Sequence, residues 1–313
     1  MPIKIKSDLP AHKILESENI FTITETRALT QDIRPLEILI LNLMPTKIQT
    51  ETQLLRLLGN SPLQVNVELL QTASHCSKNT ESEHLDTFYK CLDDIKHRKF
   101  DGMIITGAPV EHLRYEDVDY WQELTEIFDW AHKNVYSIFN ICWGAQASLY
   151  YNYGIPNHTL QKKLSGVYRH HSLNRHHPLL RGLNDTFHIP HSRHTTVFAD
   201  EIAKNKNLEI LAVADNLGDA GIAVVANKNG REFYSFGHFE YDRLTLAQEY
   251  FRDIDRGLNP DIPQNYFPKD NPKLMPQLKW RTSAMLIFTN WLNYYVYQQT
   301  PYDIKDIANI GEN

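Results

Sequence analysis

The sequence predicts one α/β domain, a doubly wound and mainly parallel sheet with an N-terminal arm before it and a C-terminal extension after it. Three observations lead there. Short apolar runs alternate with helix-periodic stretches at βαβ spacing between residues 37 and 141. The last of those runs enters a cysteine followed by small residues, so a buried strand must turn abruptly into a helix. The 313 residues are 42% apolar and 22% charged, a mixture that can build a sizeable core and excludes a collagenous, low-complexity or mainly disordered chain.

Residues 1–35 are mixed in character, end at Pro35 and read as the arm. Glu37–Met44 is a buried strand, rich in Ile and Leu. A helix carries Ile48, Leu54, Leu55 and Leu58 and stops at Gly59. Gln64–Leu69 alternates as a second strand, and Leu85, Phe88, Leu92 and Ile95 mark one face of a second helix. Asp101–Thr106 is a third strand, entering the turn Gly107-Ala108-Pro109; a helix through Trp121, Leu124, Phe128 and Ala131 follows. Val135–Ile141 then runs straight into Cys142. Further on, Glu209–Val213, Gly221–Ala226 and Glu232–Phe236 are strands separated by Asp/Gly/Asn turns, a hairpin-rich edge of the same sheet. A helix from about Arg243 closes the domain at residue 258, and residues 259–313 hold a Pro-rich irregular stretch and a last helix.

Charge and cysteines narrow the function. A net charge of −6 with no dense basic stripe argues against a nucleic-acid or anionic-membrane partner. Cys76, Cys91 and Cys142 are odd in number and far apart, which predicts a reducing compartment rather than a disulfide framework. The opening residues lack the apolar core of a secretory signal, which predicts a cytoplasmic protein. The uncharged stretch Thr282–Tyr302 is long enough to cross a bilayer, but it carries Asn290, Asn293, Gln298 and Gln299. Its Met285, Phe288, Leu292 and Tyr295 follow a helical stripe, so it reads as a core-facing amphipathic helix.

Cys142 is the strongest chemical signal. On its own a buried cysteine is often inert core; the strand–Cys–small–helix setting of Phe139-Asn140-Ile141-Cys142-Trp143-Gly144-Ala145 favours a nucleophile. There the thiol sits at the carboxyl edge of the sheet and at a helix N-terminus that favours thiolate, with backbone N–H groups beyond it for an oxyanion. A base and an orienting group are then needed. In Ser235-Phe236-Gly237-His238-Phe239-Glu240, His238 and Glu240 stand two apart in an extended segment and share a face. An unperturbed imidazole near ~6.5 predicts an acidic limb within ordinary assay range, and His191 and His194 are the nearby alternatives. The pairs His170-His171 and His176-His177 lack the one-face spacing of a zinc helix and read as a solvated loop, so no metal site is expected. No GxGxxG or Walker loop is present.

A cysteine elbow followed by a C-terminal His-x-Glu resembles the class I glutamine amidotransferase-like fold. Over nearly its whole length the chain is similar to the homoserine O-acyltransferases of methionine biosynthesis. The resemblance rests on Arg27-Ala28 with Gln31-Asp32-Ile33-Arg34-Pro35, Leu41-Asn42-Leu43-Met44-Pro45-Thr46-Lys47, Thr106-Gly107-Ala108-Pro109 and the Cys142 elbow. It continues through Lys163-Leu164-Ser165-Gly166-Val167-Tyr168, Pro190-His191-Ser192-Arg193-His194, the His238 segment and Glu249-Tyr250-Phe251-Arg252-Asp253. Phe239 stands where that family commonly reads Pro, between two intact functional ends.

The resemblance implies that Cys142 carries the acyl group as a thioester, that His238 is the general base and that Glu240 completes the triad. It implies further that Lys163, Ser192 and Arg252 bind substrate. Homoserine is a small zwitterion, and the Arg252 guanidinium suits its carboxylate; the role of Lys47 is left open between the active site and a helix cap. Glu at position 111 goes in the family with acetyl-CoA and Gly with succinyl-CoA, and Glu111 both fills space and repels a succinyl carboxylate. The expected reaction is therefore acetyl transfer from acetyl-CoA, as co-substrate without a further cofactor, to L-homoserine, by a protein the resemblance implies to be a homodimer. The competing readings are an O-succinyltransferase, a glutaminase-type hydrolase on the same fold, and a catalytically inactive binding module.

Overall fold

The computed structural model describes residues 34–74, 82–215 and 220–308, with two short paired strand segments, Ile3–Lys4 and Thr22–Ile23. Most of the arm, Cys76 and the motif from Arg27 to Ile33 lie outside the described residues.

Ten strands form one sheet. In chain order they are β1 (Leu36–Leu41), β2 (Val65–Leu70), β3 (Tyr89–Lys90), β4 (Phe100–Ile105), β5 (Val135–Ile141), β6 (His158–Ser172), β7 (Thr186–Thr196), β8 (Leu208–Ala214), β9 (Ile222–Asn227) and β10 (Glu232–Ser235). Across the sheet the order is β3-β2-β1-β4-β5-β10-β9-β8-β6-β7. From β3 to β10 every pairing is parallel, and from β10 to β7 every pairing is antiparallel.

The parallel half follows from its apolar runs. Successive side chains of a strand face opposite ways, so Ile38 and Ile40 enter the layer beneath helix α1 (Lys47–Leu58), while Leu39 and Leu41 enter the layer on the other side. That second layer receives Leu124, Ile127, Phe128 and Ala131 of α4 (Trp121–Asn134). The C-terminal helix, Arg281–Asn290 continuing as a wider π turn over Trp291–Tyr297, packs with α1. Trp291 Nε1 donates to Ser137 Oγ at 3.0 Å, and its ring lies where a Cβ on Gly102 would be only 3.0 Å away. Among the described residues no helix is long and apolar enough to cross a membrane.

Three expectations are corrected. The helix read through Leu85 to Ile95 is broken into α2 (Ser82–Phe88), strand β3 and α3 (Leu92–Ile95). Tyr89 leaves the helix because its hydroxyl is buried against Glu51 at 2.5 Å and Asn42 at 2.9 Å, while the backbone pairs with the sheet edge at Leu69. Strand β10 is central rather than part of an edge, parallel to β5 on one side and antiparallel to β9 on the other. Its four residues are all buried, the mark of a strand covered on both faces. Finally, the histidine pairs do not share a solvated loop. His170 and His171 belong to the long hairpin β6–β7, and His170 is fully buried, because Tyr168 O at 2.9 Å and His191 at 3.2 Å satisfy its ring.

Candidate active site

Strand β5 ends at Ile141 and helix α5 (Trp143–Tyr153) begins two residues later, which leaves Cys142 alone to make the turn. It does so at φ 51°, ψ −116°, a conformation L-residues rarely adopt. The strain persists because both flanks are pinned: Cys142 N donates to Ser235 O at 2.7 Å, and Gln146 N bonds back to Cys142 O at 3.1 Å. Gly144 permits the turn, since a Cβ there would lie 2.5 Å from Thr106 O. Trp143 is the first helical residue, so its N–H is among those an α-helix leaves without an internal acceptor. It directly follows Cys142 in the chain, the place from which a backbone N–H can serve an oxyanion formed in attack on a carbonyl.

Strand β10 lies beside β5 in parallel register, with Ser235 opposite Ile141, and so brings the segment after it to Cys142. His238 is buried, its Nδ1 2.7 Å from Glu240 Oε1. Burial by itself would lower the His238 pKa; the negative charges of Cys142 and Glu240 and hydrogen bonds to both outweigh it and hold the pKa well above the usual histidine value. In place of the unperturbed imidazole expected from the sequence stands a raised one, because the influence of Cys142 and Glu240 depends on contacts in space. Tyr241 stacks on the ring at 4.1 Å between centroids. Of the alternatives, His191 is driven well down by burial and its ring meets His170, whereas His194, lowered by burial, lines the same cleft as Cys142 and packs there on His112 at 4.5 Å.

The antiparallel half supplies the polar wall. Hairpin β6–β7 sets Ser165 opposite Ser192; after it come α6 (Ala199–Ala203) and α7 (Thr245–Asp255), and α7 brings Glu249 and Asp253 to Lys163 and Ser192. Lys163 Nζ lies 3.0 Å from Asp253 Oδ2 and 3.6 Å from Glu249 Oε2. Arg252 donates through Nε and Nη2 to Asp253 Oδ1 at 2.9 and 2.7 Å. Burial would raise the Asp253 carboxyl, but the hydrogen bonds from Arg252 and Lys163 pull it below its ordinary value. Glu249 accepts from Ser192 Oγ, and from Tyr241 Oη at 2.7 Å. Behind this wall Arg193 is fully buried, donating to the carbonyls of Thr195 at 2.6 Å and Ala220 at 2.7 Å. Burial pulls its pKa down to about 10, while the nearby Cys142 and Glu111 favour its charge.

One cleft of about 270 Å³ gathers these groups, lined by Cys142, His238, Lys163, Ser192, Arg252 and Glu111. Glu240 stands behind His238. Glu111 is half-buried, and burial pushes its carboxyl up to about 7 against the lowering effect of the His194 backbone N–H, His238, Lys163 and Arg193. Lys47 is turned away from the cleft: its ammonium donates to Asn42 O at 2.6 Å, and burial lowers its pKa to about 8. Sequence reasoning gave no role to Glu249, Asp253, Tyr241 or Arg193. The signal for the first two was available, since Glu249, Arg252 and Asp253 stand at i, i+3 and i+4 on one helical face. Tyr241 and Arg193 gave no signal because their partners, His238 and Glu249 for the one and Thr195 and Ala220 for the other, follow no helical or strand period. Among the described residues no group of His, Cys, Asp and Glu could hold a metal ion.

A family profile described as "Homoserine O-succinyltransferase" matches residues 2–302. A protein named homoserine O-acetyltransferase from Methanomethylophilus alvi is 57% identical over 312 residues, covering 100% of both chains. One of the same name from Petrotoga mobilis is 57% identical over 307 residues, covering 98% of each. In three dimensions a glutamine amidotransferase from Thermotoga maritima aligns with a TM-score of 0.56 at 9% identity, over 84% of this chain and 99% of that one. At that identity the likeness is one of fold.

Proposed function

The chain belongs to the homoserine O-succinyltransferase family, and within it we propose that it is a homoserine O-acetyltransferase, moving acetyl from acetyl-CoA to the hydroxyl of L-homoserine. The observation that carries this reading is the convergence of Cys142, His238 and the charged wall in one cleft, with Glu111 in that cleft in favour of the smaller donor.

The groups divide the work in two half-reactions. The Cys142 sulfur attacks the thioester carbonyl, and the oxyanion is stabilised by the helix-terminal N–H of Trp143. The C–S bond to CoA breaks, and the proton held on His238 passes to the departing thiolate. Acylation also removes the sulfur's negative charge, so burial weighs more heavily and the imidazole gives up its proton more readily. Neutral His238, oriented by Glu240, then takes the proton of the homoserine hydroxyl as that oxygen attacks the acyl-enzyme. Cys142 leaves as thiolate and the starting pair is restored. Arg252 and Lys163 offer cations to the homoserine carboxylate, and the carboxylates of Glu249 and Asp253 attract its ammonium. No step calls for a cofactor beyond the co-substrate.

Separate incubation with acetyl-CoA, succinyl-CoA and glutamine, followed by intact-mass measurement, tests the reading. An acetyl adduct discharged by L-homoserine is expected. A stable adduct from succinyl-CoA alone moves the assignment to the succinyltransferase, and ammonia release from glutamine moves it to a hydrolase.

A further inference from the structure

Of the clefts that abut the catalytic one, two differ in charge. Beyond Lys163 and Asp253 lies a cleft whose cations are already paired: Lys162 with Asp261 and Lys163 with Asp253, each at 3.0 Å. The other cleft shares Gln49, Thr245 and Gln248 with the catalytic cleft and continues outward to Arg56, Arg243 and Arg281. Asp242 is the one carboxylate lining it; Arg56 forms an ion pair with Asp242, and Arg281 stands 3.9 Å away. Arg243 is exposed and donates to the carbonyl of Pro276 at 3.5 Å. Three guanidinium groups against one carboxylate make this a positive cleft in a chain whose net charge is −6.

Its shape suits an elongated ligand. Gln49, Gln53 and Arg56 stand at i, i+4 and i+7 on one face of α1, so the stripe climbs about 10 Å from the catalytic cleft outward. At the junction Gln49 Nε2 donates to Gln248 Oε1 at 3.0 Å, so the two amides join across it and a ligand running from one cleft to the other lies against this pair. Leu244 and Met275, 42% and 63% exposed, line the outer cleft with apolar surface.

We propose that the Arg56–Arg243–Arg281 cleft binds the phosphates of the acyl-CoA donor, with the pantetheine arm passing Gln49 and Gln248 to reach Cys142. The proposal rests on the reading of acyl-CoA as donor given above. Guanidinium groups pair with phosphate oxygens through two parallel N–H bonds, the amides of pantetheine match the Gln side chains, and Leu244 with Met275 offers a surface for the adenine ring.

The test compares acetyl-CoA with S-acetyl-pantetheine, which has the same reacting thioester and arm but no nucleotide. In Arg243→Glu and Arg281→Glu, kcat/KM for acetyl-CoA is expected to fall at least about tenfold further than kcat/KM for S-acetyl-pantetheine. In the wild type, added salt should raise KM for acetyl-CoA and leave KM for S-acetyl-pantetheine the same, a readout that needs no variant. Equal losses on the two donors, or a wild-type KM for acetyl-CoA indifferent to salt, overturn the arginine cleft and leave the donor reading intact. Failure of the wild type to take acetyl from either donor overturns the donor reading and the proposal with it.

Discussion

The parallel half of the sheet delivers one sulfur through backbone geometry, whereas the antiparallel half delivers a set of charges through side-chain pairing. On the parallel side, Cys142 is placed by a strand end, a helix start and a glycine with no room for a Cβ. On the antiparallel side, Lys163, Ser192 and Arg252 are held by Glu249 and Asp253, carboxylates contributed by helix α7. A backbone-built site offers one position and no substitute for it. A charge network shares its work among members, so losing one costs less than losing the nucleophile.

That contrast breaks most sharply at the triad. Cys142→Ala should lower turnover by at least about 10⁴-fold and abolish the acyl adduct. Peptide mapping should find acetyl on Cys142 and none on Cys91, whose thiol burial pushes upward. His238→Asn should approach the same loss, and Glu240→Gln should retain more activity, because orientation is replaceable where proton transfer is not. Full turnover in either Cys142→Ala or His238→Asn would remove the mechanism.

An intermediate effect is expected on the other wall. Glu249→Gln keeps the hydrogen-bonding shape toward Ser192 and Tyr241 but removes a charge beside Lys163. KM for homoserine should rise roughly tenfold to a hundredfold, with a smaller change in the rate of acyl-enzyme formation from acetyl-CoA. A loss confined to the first half-reaction would place Glu249 in the nucleophile's machinery and dissolve the division between the halves.

The smallest effect concerns donor choice. With its carboxyl pushed up to about 7, Glu111 is mostly neutral at pH 6 and mostly charged at pH 8. If repulsion of the succinyl carboxylate matters, the acetyl-to-succinyl ratio of kcat/KM should climb across that interval. Glu111→Gly should shift the ratio toward succinyl by about tenfold. Glu111→Gln separates the causes, since it keeps the bulk and loses the charge. A flat pH profile together with an unaltered ratio in the Gly variant would remove Glu111 from donor selection.

Legibility in the sequence follows the same division. Val135–Ile141 is legible in the sequence to the residue, and the neighbouring strands to within a few, because strands buried on both faces appear as unbroken apolar runs. Hairpin β6–β7 is not legible as strands, because its residues alternate among charged, histidine and half-buried positions with no clean period. The central place of β10 was equally hidden, since pairing to a strand nearly a hundred residues earlier leaves no trace in local pattern.

By itself the sequence determined the alternation of strand and helix, the elbow at Cys142 and the His238–Glu240 pair, all of which depend on neighbours along the chain. Motif resemblance added Lys163, Ser192, Arg252 and Glu111. Only the tertiary structure decided that Cys142, His238, Lys163, Ser192, Arg252 and Glu111 meet in one cleft, with Glu240 behind His238. It also decided that the neighbouring Cys142 and Glu240 hold the His238 pKa up, that burial pushes the Glu111 carboxyl up to about 7, and that Glu249 joins Ser192 to Tyr241. Burial and charge pairing are set by which distant segments the sheet order makes adjacent, and a pKa responds to every charge nearby in space regardless of its distance along the chain.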